Sequence, residues 1–346
     1  MNSLFESGWV INAGKGSCIE DFEYYKMESH GMTEFSLDKV IIELTGSCSL
    51  NCFFCNPDST DAFASCSCKR WNYPSVVDDY QDIIAQVLVY KIKKIMIIGG
   101  DPFWEGYDKL TNVLRCLKDN NYLGEIVILT NGACLDRGKI DFISEFENVR
   151  INILFLGCNE QEYREITGKK YIYKKVLENV KELQKKKVSV NGTLLFNNIN
   201  ANEISNSTLN LLGIDIGVKF IFDERYNTSD ILFSNKNRMI KPDYMTQKLL
   251  RETHSCLYGQ IFISSDLKIF PCPYMRNYLL GDLKKEQLYD VFRRSEYRKF
   301  WFMSKNKITG CKECKYRTLC LDCRAVEYSI TKELYAEYFC KEVKGV

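Results

Sequence analysis

The sequence lacks the features that mark a membrane, secreted or nucleic-acid-binding protein. Its 47 Lys and Arg residues nearly balance 45 Asp and Glu residues, so the whole chain carries no basic footprint for nucleic acid. No apolar run approaches the ~18 residues that a membrane-spanning helix needs. Residues Met1 to Glu6 lack the basic and apolar regions of a signal peptide. These absences predict a cytoplasmic protein with neither a membrane nor a nucleic-acid partner.

Cysteine, by contrast, is abundant, with 16 residues in a chain of 346. In a reducing compartment, closely spaced thiols indicate metal ligands more often than disulfides. Three cysteines lie within residues 48–55 and seven lie between Cys256 and Cys340. The remaining six are scattered along the chain, at Cys18, Cys66, Cys68, Cys116, Cys134 and Cys158. The distribution predicts two separate metal-binding regions.

The first half of the chain alternates between short apolar runs and helical patterns. Near-continuous aliphatic runs of this kind are typical of parallel strands covered on both faces. Six runs predict strands, at 40–44, 95–98, 126–129, 151–155, 188–196 and 218–222. Apolar stripes at helical spacing lie between them, and Ser75 with Asp78 has the form of a capping box. Strands alternating with helices predict an α/β fold, which is either an open (β/α) barrel of six units or a doubly wound sheet.

The pattern changes after the sixth predicted strand. Residues 223–241 are polar and irregular, which is typical of a linker. Residues 260–270 then predict a β-hairpin that turns near Ser265 and Asp266. From Cys272 onward regular structure is sparse and cysteines are dense, so metal sites are expected to replace part of the hydrophobic core. We therefore predict an N-terminal extension at 1–37, a barrel at 38–240 and a small cysteine-rich domain at 241–346.

The first cysteine group, Cys48, Cys52 and Cys55, has the spacing C-x3-C-x2-C directly after the first predicted strand. Three thiolates ligate only three irons of a 4Fe–4S cluster and leave the fourth open for another ligand. Loops after barrel strands are also where such folds place catalysis. The alternative is a zinc site, although zinc sites favour paired cysteine motifs that supply four ligands.

This motif, with Phe54 before its third cysteine, resembles the defining motif of the radical SAM superfamily. The resemblance implies a partial (β/α)6 TIM-like barrel, a 4Fe–4S cluster on Cys48, Cys52 and Cys55, and S-adenosylmethionine (SAM) chelated to the open iron. In that family, reduction of SAM gives a 5′-deoxyadenosyl radical. By the same resemblance, Phe54 is expected to lie against the adenine.

Two further segments resemble elements that contact SAM in this family. Gly99, Gly100, Asp101 and Pro102 follow the second strand and are similar to a Gly-Gly-Glu-Pro element, with Asp in place of Glu. The backbone of that element receives the methionine amino group, and glycines suit close backbone approach to a ligand. Asn131, within Thr-Asn-Gly after the third strand, matches another shared segment, although a simple turn explains these residues nearly as well. The Ser and Asp that often contact the ribose after the fourth strand are replaced here by residues 154–157, Leu-Phe-Leu-Gly.

The C-terminal cysteines resemble the SPASM extension, which binds two auxiliary 4Fe–4S clusters in many peptide- and protein-modifying radical SAM enzymes. Carried over by position, the resemblance assigns an outer cluster to Cys311, Cys314, Cys320 and Cys340. It assigns an inner cluster to Cys256, Cys272 and Cys323, and so implies one open iron there. The chain departs from the pattern in having two residues between Cys320 and Cys323 rather than three, and in carrying Leu267 where a glycine is usual. A zinc ribbon is the alternative, but it accounts for only four of these seven cysteines.

Four residues outside the assigned ligand sets favour ordinary structural roles. His254 precedes the first inner cysteine and is a conceivable ligand, but the pattern favours an ordinary surface histidine. Cys116 lies on the apolar stripe of a predicted helix and is expected in the core. Cys66 and Cys68 match no family element and are best explained as buried thiols.

The resemblance implies a radical SAM/SPASM enzyme that crosslinks, epimerises or oxidises a ribosomally synthesised peptide, with flavodoxin or ferredoxin as electron donor. The 37 residues before the predicted barrel are fewer than in the peptide-recognition winged helix of many such maturases, so leader recognition is expected from a separate protein or from the barrel surface. The alternatives are a dehydrogenase acting on a protein side chain or a small-molecule alcohol, and a noncatalytic metal-binding electron carrier. No acid–base residue is identified.

Overall fold

The computed structural model describes residues 36–55, 80–196, 199–200, 212–220, 243–320, 323–338 and 340. The predicted capping box at Ser75, the predicted linker at 223–241, and Cys18, Cys66 and Cys68 lie outside these residues.

The described strands form one sheet of nine, in the order β6-β5-β4-β3-β2-β1-β7-β8-β9. The first six pair in parallel in sequence order, each with its neighbour along the chain. The ends of these six strands lie within two residues of the predicted ends. The strands are β1 (Lys39–Glu43), β2 (Lys94–Ile98), β3 (Glu125–Thr130), β4 (Val149–Phe155), β5 (Ser189–Phe196), β6 (Ile216–Phe220), β7 (Gln260–Ile263), β8 (Lys268–Phe270) and β9 (Gly281–Asp282). The predicted partial α/β barrel is confirmed.

Helices follow β2, β3 and β4 and cover one face of the sheet. Those within the barrel are α1 (Gln81–Leu88), α2 (Tyr107–Asp119), α3 (Arg137–Ile143), α4 (Glu160–Thr167) and α5 (Ile172–Lys185). Those in the C-terminal region are α6 (Tyr244–Glu252), α7 (Leu288–Arg293), α8 (Arg298–Trp301) and α9 (Arg324–Thr331), with a 3₁₀ turn at Lys305–Lys307.

The core lies between these helices and the parallel strands. In α2 the predicted stripe is buried, since Leu110, Val113 and Leu114 are 0% exposed. Burying each such side chain contributes about 1.5–3 kcal/mol. Cys116, predicted to be in the core, is buried on the same helix. The apolar periodicity therefore located the packed faces correctly.

The C-terminal region continues the barrel sheet. The predicted hairpin is confirmed, with β7 antiparallel to β8 and a turn at residues 264–267. However, β7 also pairs in parallel with β1, where Ile41 lies opposite Phe262. The sheet thus crosses the boundary predicted at residue 240, which stays a prediction.

Helix α7 packs on α1 and joins the two halves on the outer layer. The Leu288 backbone N–H donates to the Gln86 side chain at 2.8 Å, and the rings of Tyr90 and Phe292 meet edge to face at 5.1 Å. In the part of the chain that the structure describes, no helix has the length and hydrophobicity to cross a bilayer.

Candidate active site

The loop that carries Cys48, Cys52 and Cys55 follows β1, whose last residue is Glu43. Cys48 and Cys52 are half-buried and Cys55 is buried, and none of the described cysteines forms a disulfide. The loop folds back on itself, because the Cys55 N–H donates to the Cys52 carbonyl at 2.9 Å. One short segment therefore presents all three thiols at the edge of the sheet where parallel barrels carry catalysis.

The glycine pair after β2 is required by the start of this cysteine loop. The Gly100 N–H donates to the Thr45 carbonyl and the Asp101 N–H donates to the Ser47 carbonyl, both at 2.8 Å. A Cβ atom on Gly100 would lie 2.1 Å from the Ser47 carbonyl oxygen, and one on Gly99 would lie 2.7 Å from the Thr45 carbonyl oxygen. The close approach that these glycines permit is to the backbone before Cys48. A contact with SAM stays a prediction.

Asp101 joins the loops that follow β2 and β3. Its carboxylate accepts hydrogen bonds from the Phe103 N–H at 2.9 Å, the Thr130 hydroxyl at 2.9 Å and the Asn131 N–H at 3.0 Å. The residue is fully buried, and burial raises the pKa of Asp101 while these hydrogen bonds oppose the rise. The Asp101 carboxylate, which stands where the resemblance expects Glu, thus fixes the position of Asn131. Pro102, next to Asp101, is buried.

Asn131 in turn contacts the first cysteine. Its side-chain amide lies 3.4 Å from the Cys48 sulfur, and the Leu50 N–H points at the same sulfur from 3.4 Å. N–H donors aimed at a sulfur favour the thiolate, which is the form that binds metal. The residues present therefore fit an iron–sulfur cluster at this loop.

The end of α4 holds the cysteine loop from the other side. The Phe53 N–H donates to the Ile166 carbonyl at 3.1 Å, and the Lys169 ammonium donates to the Ser49 carbonyl at 2.5 Å. Gly168 ends the helix with φ of 71°, a conformation that favours glycine. These contacts hold the cysteine loop against the C-terminal end of α4.

Two contacts at this loop were not predicted from the sequence, those of Lys169 and Cys134. The Cys134 thiol lies 2.9 Å from the Ser49 hydroxyl, between the first two cysteines of the motif. Burial raises the pKa of Cys134, and the hydrogen bond with Ser49 opposes the rise. No spacing rule marks either residue, because both reach the loop from distant parts of the chain.

Glu162 packs against the segment that follows β4. This carboxylate is buried and accepts from the Cys158 N–H at 2.5 Å, and a Cβ atom on Gly157 would collide with it at 2.6 Å. Leu156 is buried, and its N–H donates to the Tyr163 hydroxyl at 3.2 Å. The segment is therefore a packed turn. Phe54 is also buried, in edge-to-face contact with Phe53 at 5.1 Å.

Among the proposed inner ligands, Cys272 is buried and Cys256 and Cys323 are half-buried. The expectation of a surface histidine at 254 is wrong, since His254 is 3% exposed. Its Nδ1 accepts from the backbone N–H groups of Cys256 at 3.2 Å and Leu257 at 3.3 Å, and lies 3.6 Å from the Cys256 sulfur. Sequence periodicity does not reveal this burial, because the histidine ring hydrogen-bonds to the turn that follows it.

Leu267, which stands where the resemblance expects glycine, keeps a backbone conformation that favours glycine. Its φ is 66°, in the left-handed region, where a non-glycine residue costs roughly 1–2 kcal/mol. The side chain is buried, which offsets part of that cost. The substitution thus leaves the hairpin turn intact.

The proposed outer ligands lie beside a buried group of charges that the sequence did not reveal. Cys311 and Cys340 are buried, and Cys314 and Cys320 are half-buried. The Cys311 sulfur is 3.8 Å from the Glu337 carboxylate, which pairs with Lys305 at 2.8 Å and Arg324 at 2.9 Å. The Tyr316 N–H points at the Cys314 sulfur from 3.4 Å. The Tyr316 N–H favours a thiolate at Cys314, whereas the Glu337 carboxylate disfavours one at Cys311, and Lys305 and Arg324 offset that negative charge.

Among the described residues, no three His, Cys, Asp or Glu side chains converge around one metal-ion position. The ligand sets for all three predicted clusters stay predictions.

Comparison with protein families gives two matches. The model described as "Radical SAM superfamily" matches residues 42–208, and the SPASM model, described as "Iron-sulfur cluster-binding domain", matches residues 255–315. The first domain implies a 4Fe–4S cluster and SAM, and the second implies auxiliary iron–sulfur clusters.

Curated relatives are distant in sequence. A GTP 3′,8-cyclase of Petrotoga mobilis is 28% identical over 54% of this chain and 55% of the relative, so the chain spans about half the length of such relatives. An AdoMet-dependent heme synthase of Methanosarcina barkeri is 22% identical over 86% of this chain and 94% of the relative.

Two solved structures share the fold over most of the chain. Native anSMEcpe with bound AdoMet and Kp18Cys peptide aligns with a TM-score of 0.65 at 17% identity, over 89% of this chain and 94% of that one. Streptococcus suis SuiB bound to precursor peptide SuiA aligns with a TM-score of 0.61 at 14% identity, over 95% of this chain and 79% of that one.

Proposed function

Because the chain belongs to the radical SAM superfamily and carries a SPASM domain, we propose that it is a radical SAM enzyme that modifies a ribosomally synthesised peptide. The observation that carries the proposal is the continuity of the fold. The barrel and the cysteine-rich region form one sheet, and both solved structures named above share this fold and hold bound peptides.

In this proposal Cys48, Cys52 and Cys55 hold the catalytic cluster. When bound, the cluster supplies an electron for reductive cleavage of SAM, which gives a radical able to take hydrogen from an unactivated carbon. The chain directs donors from Leu50 and Asn131 at the Cys48 sulfur and keeps the cysteine loop in place through Gly100.

The loops after β2 and β3 would bind and orient SAM. Gly99, Gly100 and Pro102 form the backbone edge beside the cysteine loop, and the Asp101 carboxylate fixes Asn131 next to Cys48. In this proposal Phe54, on the cysteine loop, contacts the adenine. Burial around the site would exclude water from the reacting radical.

The C-terminal cysteines would hold two auxiliary clusters. Cys256, Cys272 and Cys323 are the proposed inner ligands, and Cys311, Cys314, Cys320 and Cys340 are the proposed outer ligands. A flavodoxin or ferredoxin as electron donor, and a separate protein that recognises the peptide leader, belong to the same proposal.

The first test asks for the cofactors and their ligands. After anaerobic reconstitution we expect about twelve irons per chain, as three clusters of four require. Cys52→Ala is expected to abolish formation of 5′-deoxyadenosine from SAM. Cys116→Ala, which removes a buried thiol from α2, is the matched control and should retain it. Equal yields from Cys52→Ala and the parent would contradict the ligand assignment, and zinc without sulfide would contradict the enzyme.

The second test separates peptide from small-molecule substrates. The relatives' names make a nucleotide or porphyrin-type substrate the second candidate. The peptide encoded by the neighbouring reading frame and GTP are each incubated with the reduced enzyme and SAM. A crosslinked or oxidised peptide loses hydrogen mass, and an epimer changes its chromatographic retention. Consumption of GTP with an unaltered peptide would refute the proposed substrate class.

A further inference from the structure

A buried ion pair joins the barrel to the cysteine-rich region. Glu43 and Arg276 are 233 residues apart in sequence, and their side chains are each 3% exposed. Two parallel hydrogen bonds connect them, from Nη2 to Oε1 at 2.6 Å and from Nη1 to Oε2 at 3.1 Å. Such a bidentate pair fixes the relative orientation of both groups as well as their distance.

Glu43 is the last residue of β1, the strand that leads directly to Cys48. Its Oε2 also accepts a hydrogen bond from the Ser265 N–H, in the turn of the β7–β8 hairpin, at 3.1 Å. One carboxylate therefore holds the strand before the catalytic cysteine loop against two segments of the C-terminal region.

Arg276 is fixed at the other end of the pair. Its Nε donates to the Pro273 carbonyl at 3.0 Å, one residue after Cys272. The same turn is closed by a hydrogen bond from the Met275 N–H to the Cys272 carbonyl at 3.2 Å. The guanidinium also lies over the Phe262 ring, 4.7 Å from its centroid. The guanidinium thus contacts the Cys272 turn, the hairpin and β1.

We propose that Glu43 and Arg276 are positioning residues that set the location of the Cys272 turn, and with it the inner auxiliary cluster, relative to the catalytic cysteine loop. The inference rests on the proposed function, in which Cys272 is an inner-cluster ligand. Residues that orient ligands tune the properties of a metal centre without touching the metal. Lysine is a poor replacement for arginine in this role, since a single ammonium does not reproduce the fork that spans Glu43 and Pro273.

The test compares Arg276→Lys and Glu43→Gln with the parent in the full-length, anaerobically reconstituted protein. Arg294→Lys is the matched control, since Arg294 also forms a bidentate pair, with Glu286, but at the surface. We measure electron paramagnetic resonance spectra during redox titration, and identify the SAM-cluster signal in each sample by its change when SAM is added. We expect both buried-pair variants to shift the midpoint potential or the line shape of an auxiliary signal, and Arg294→Lys to match the parent.

A purely structural role predicts a different result. The variants would then unfold at lower temperature, yet the folded protein would keep the parent's auxiliary spectrum and potential, which would overturn the inference. Glu43→Gln keeps an acceptor for Ser265, so it provides the measurement if Arg276→Lys does not fold. Cys272→Ala in the same assay distinguishes a failure of the ligand assignment from a failure of the positioning role. An unchanged auxiliary signal in Cys272→Ala refutes the ligand assignment, whereas a changed one, with parental spectra in both pair variants, refutes the positioning role.

Discussion

Replacing Gly100 with Ala tests how the loop that carries Cys48, Cys52 and Cys55 is held. The added Cβ would lie 2.1 Å from the Ser47 carbonyl oxygen and 2.4 Å from the Ser47 carbonyl carbon. Since Cβ contacts under 3.0 Å are essentially never seen, the two backbones must separate by at least 3.0 − 2.1 = 0.9 Å. The obstacle is backbone rather than a flexible side chain, so no rotamer change relieves it.

The separation has a cost that can be worked out. The hydrogen bonds from Gly100 to Thr45 and from Asp101 to Ser47 are both 2.8 Å long, and a shift of this size takes them beyond hydrogen-bonding distance. Losing two such bonds and overpacking the contact costs about 2–6 kcal/mol together. The unfolding midpoint should then fall by at least about 3 °C, since the unfolding entropy of a chain of 346 residues is about 0.7 kcal/mol/K. Because Ser47 precedes Cys48, we also expect the SAM cluster to be lost or partly occupied.

The assay combines thermal unfolding, iron content and the yield of 5′-deoxyadenosine under anaerobic conditions. Gly138→Ala is the matched control, because its Cβ would meet only the Asp136 side chain, at 3.5 Å, within helix α3. Alanine there should be neutral or stabilise the helix by about 0.5–1 kcal/mol. A Gly100→Ala protein with parental iron content and unfolding midpoint would show that the backbone contact at Ser47 does not hold the loop.

Two further predictions concern residues around the sites. Tyr163→Phe removes the acceptor of the buried Leu156 N–H, which should cost about 1–3 kcal/mol in thermal or denaturant unfolding, and a loss below about 0.5 kcal/mol would show that the N–H finds another partner. Cys314→Ala should lower the iron content and stop product formation while some SAM cleavage continues, because it alters an auxiliary ligand and leaves Cys52 in place. Full product formation by Cys314→Ala would contradict its role as a ligand.

Much of the fold could be predicted from sequence, because local patterns determine it. The aliphatic runs became β1 to β6, and the stripe through Leu110 and Val113 became the buried face of α2. The cysteine spacing likewise placed three thiols on one loop after β1, since ligands within eight residues need no long-range information to come together. Both predictions depend only on periodicity and on short distances along the chain.

The contacts that support the site could not be predicted in this way. Cys134 and Lys169 reach the loop at Ser49 from 85 and 120 residues away, and no spacing rule marks them. His254 was expected at the surface because polar residues usually lie there, yet it is buried and its ring accepts hydrogen bonds from its own turn. Gly100 was singled out for a contact with SAM, which stays a prediction, and only the structure shows that the carbonyl of Ser47 excludes a side chain there.

By itself, the sequence supplied thiol groups at short spacings on an alternating strand–helix chain, and their resemblance to the radical SAM and SPASM motifs implied the iron–sulfur clusters and SAM. The tertiary structure decided how the two cysteine regions are joined. Pairing of β7 with β1 and of Arg276 with Glu43 depends on backbone edges and buried charges that are more than 200 residues apart in the sequence. Such partners are selected by packing and desolvation in the folded state, and local sequence carries no record of that selection.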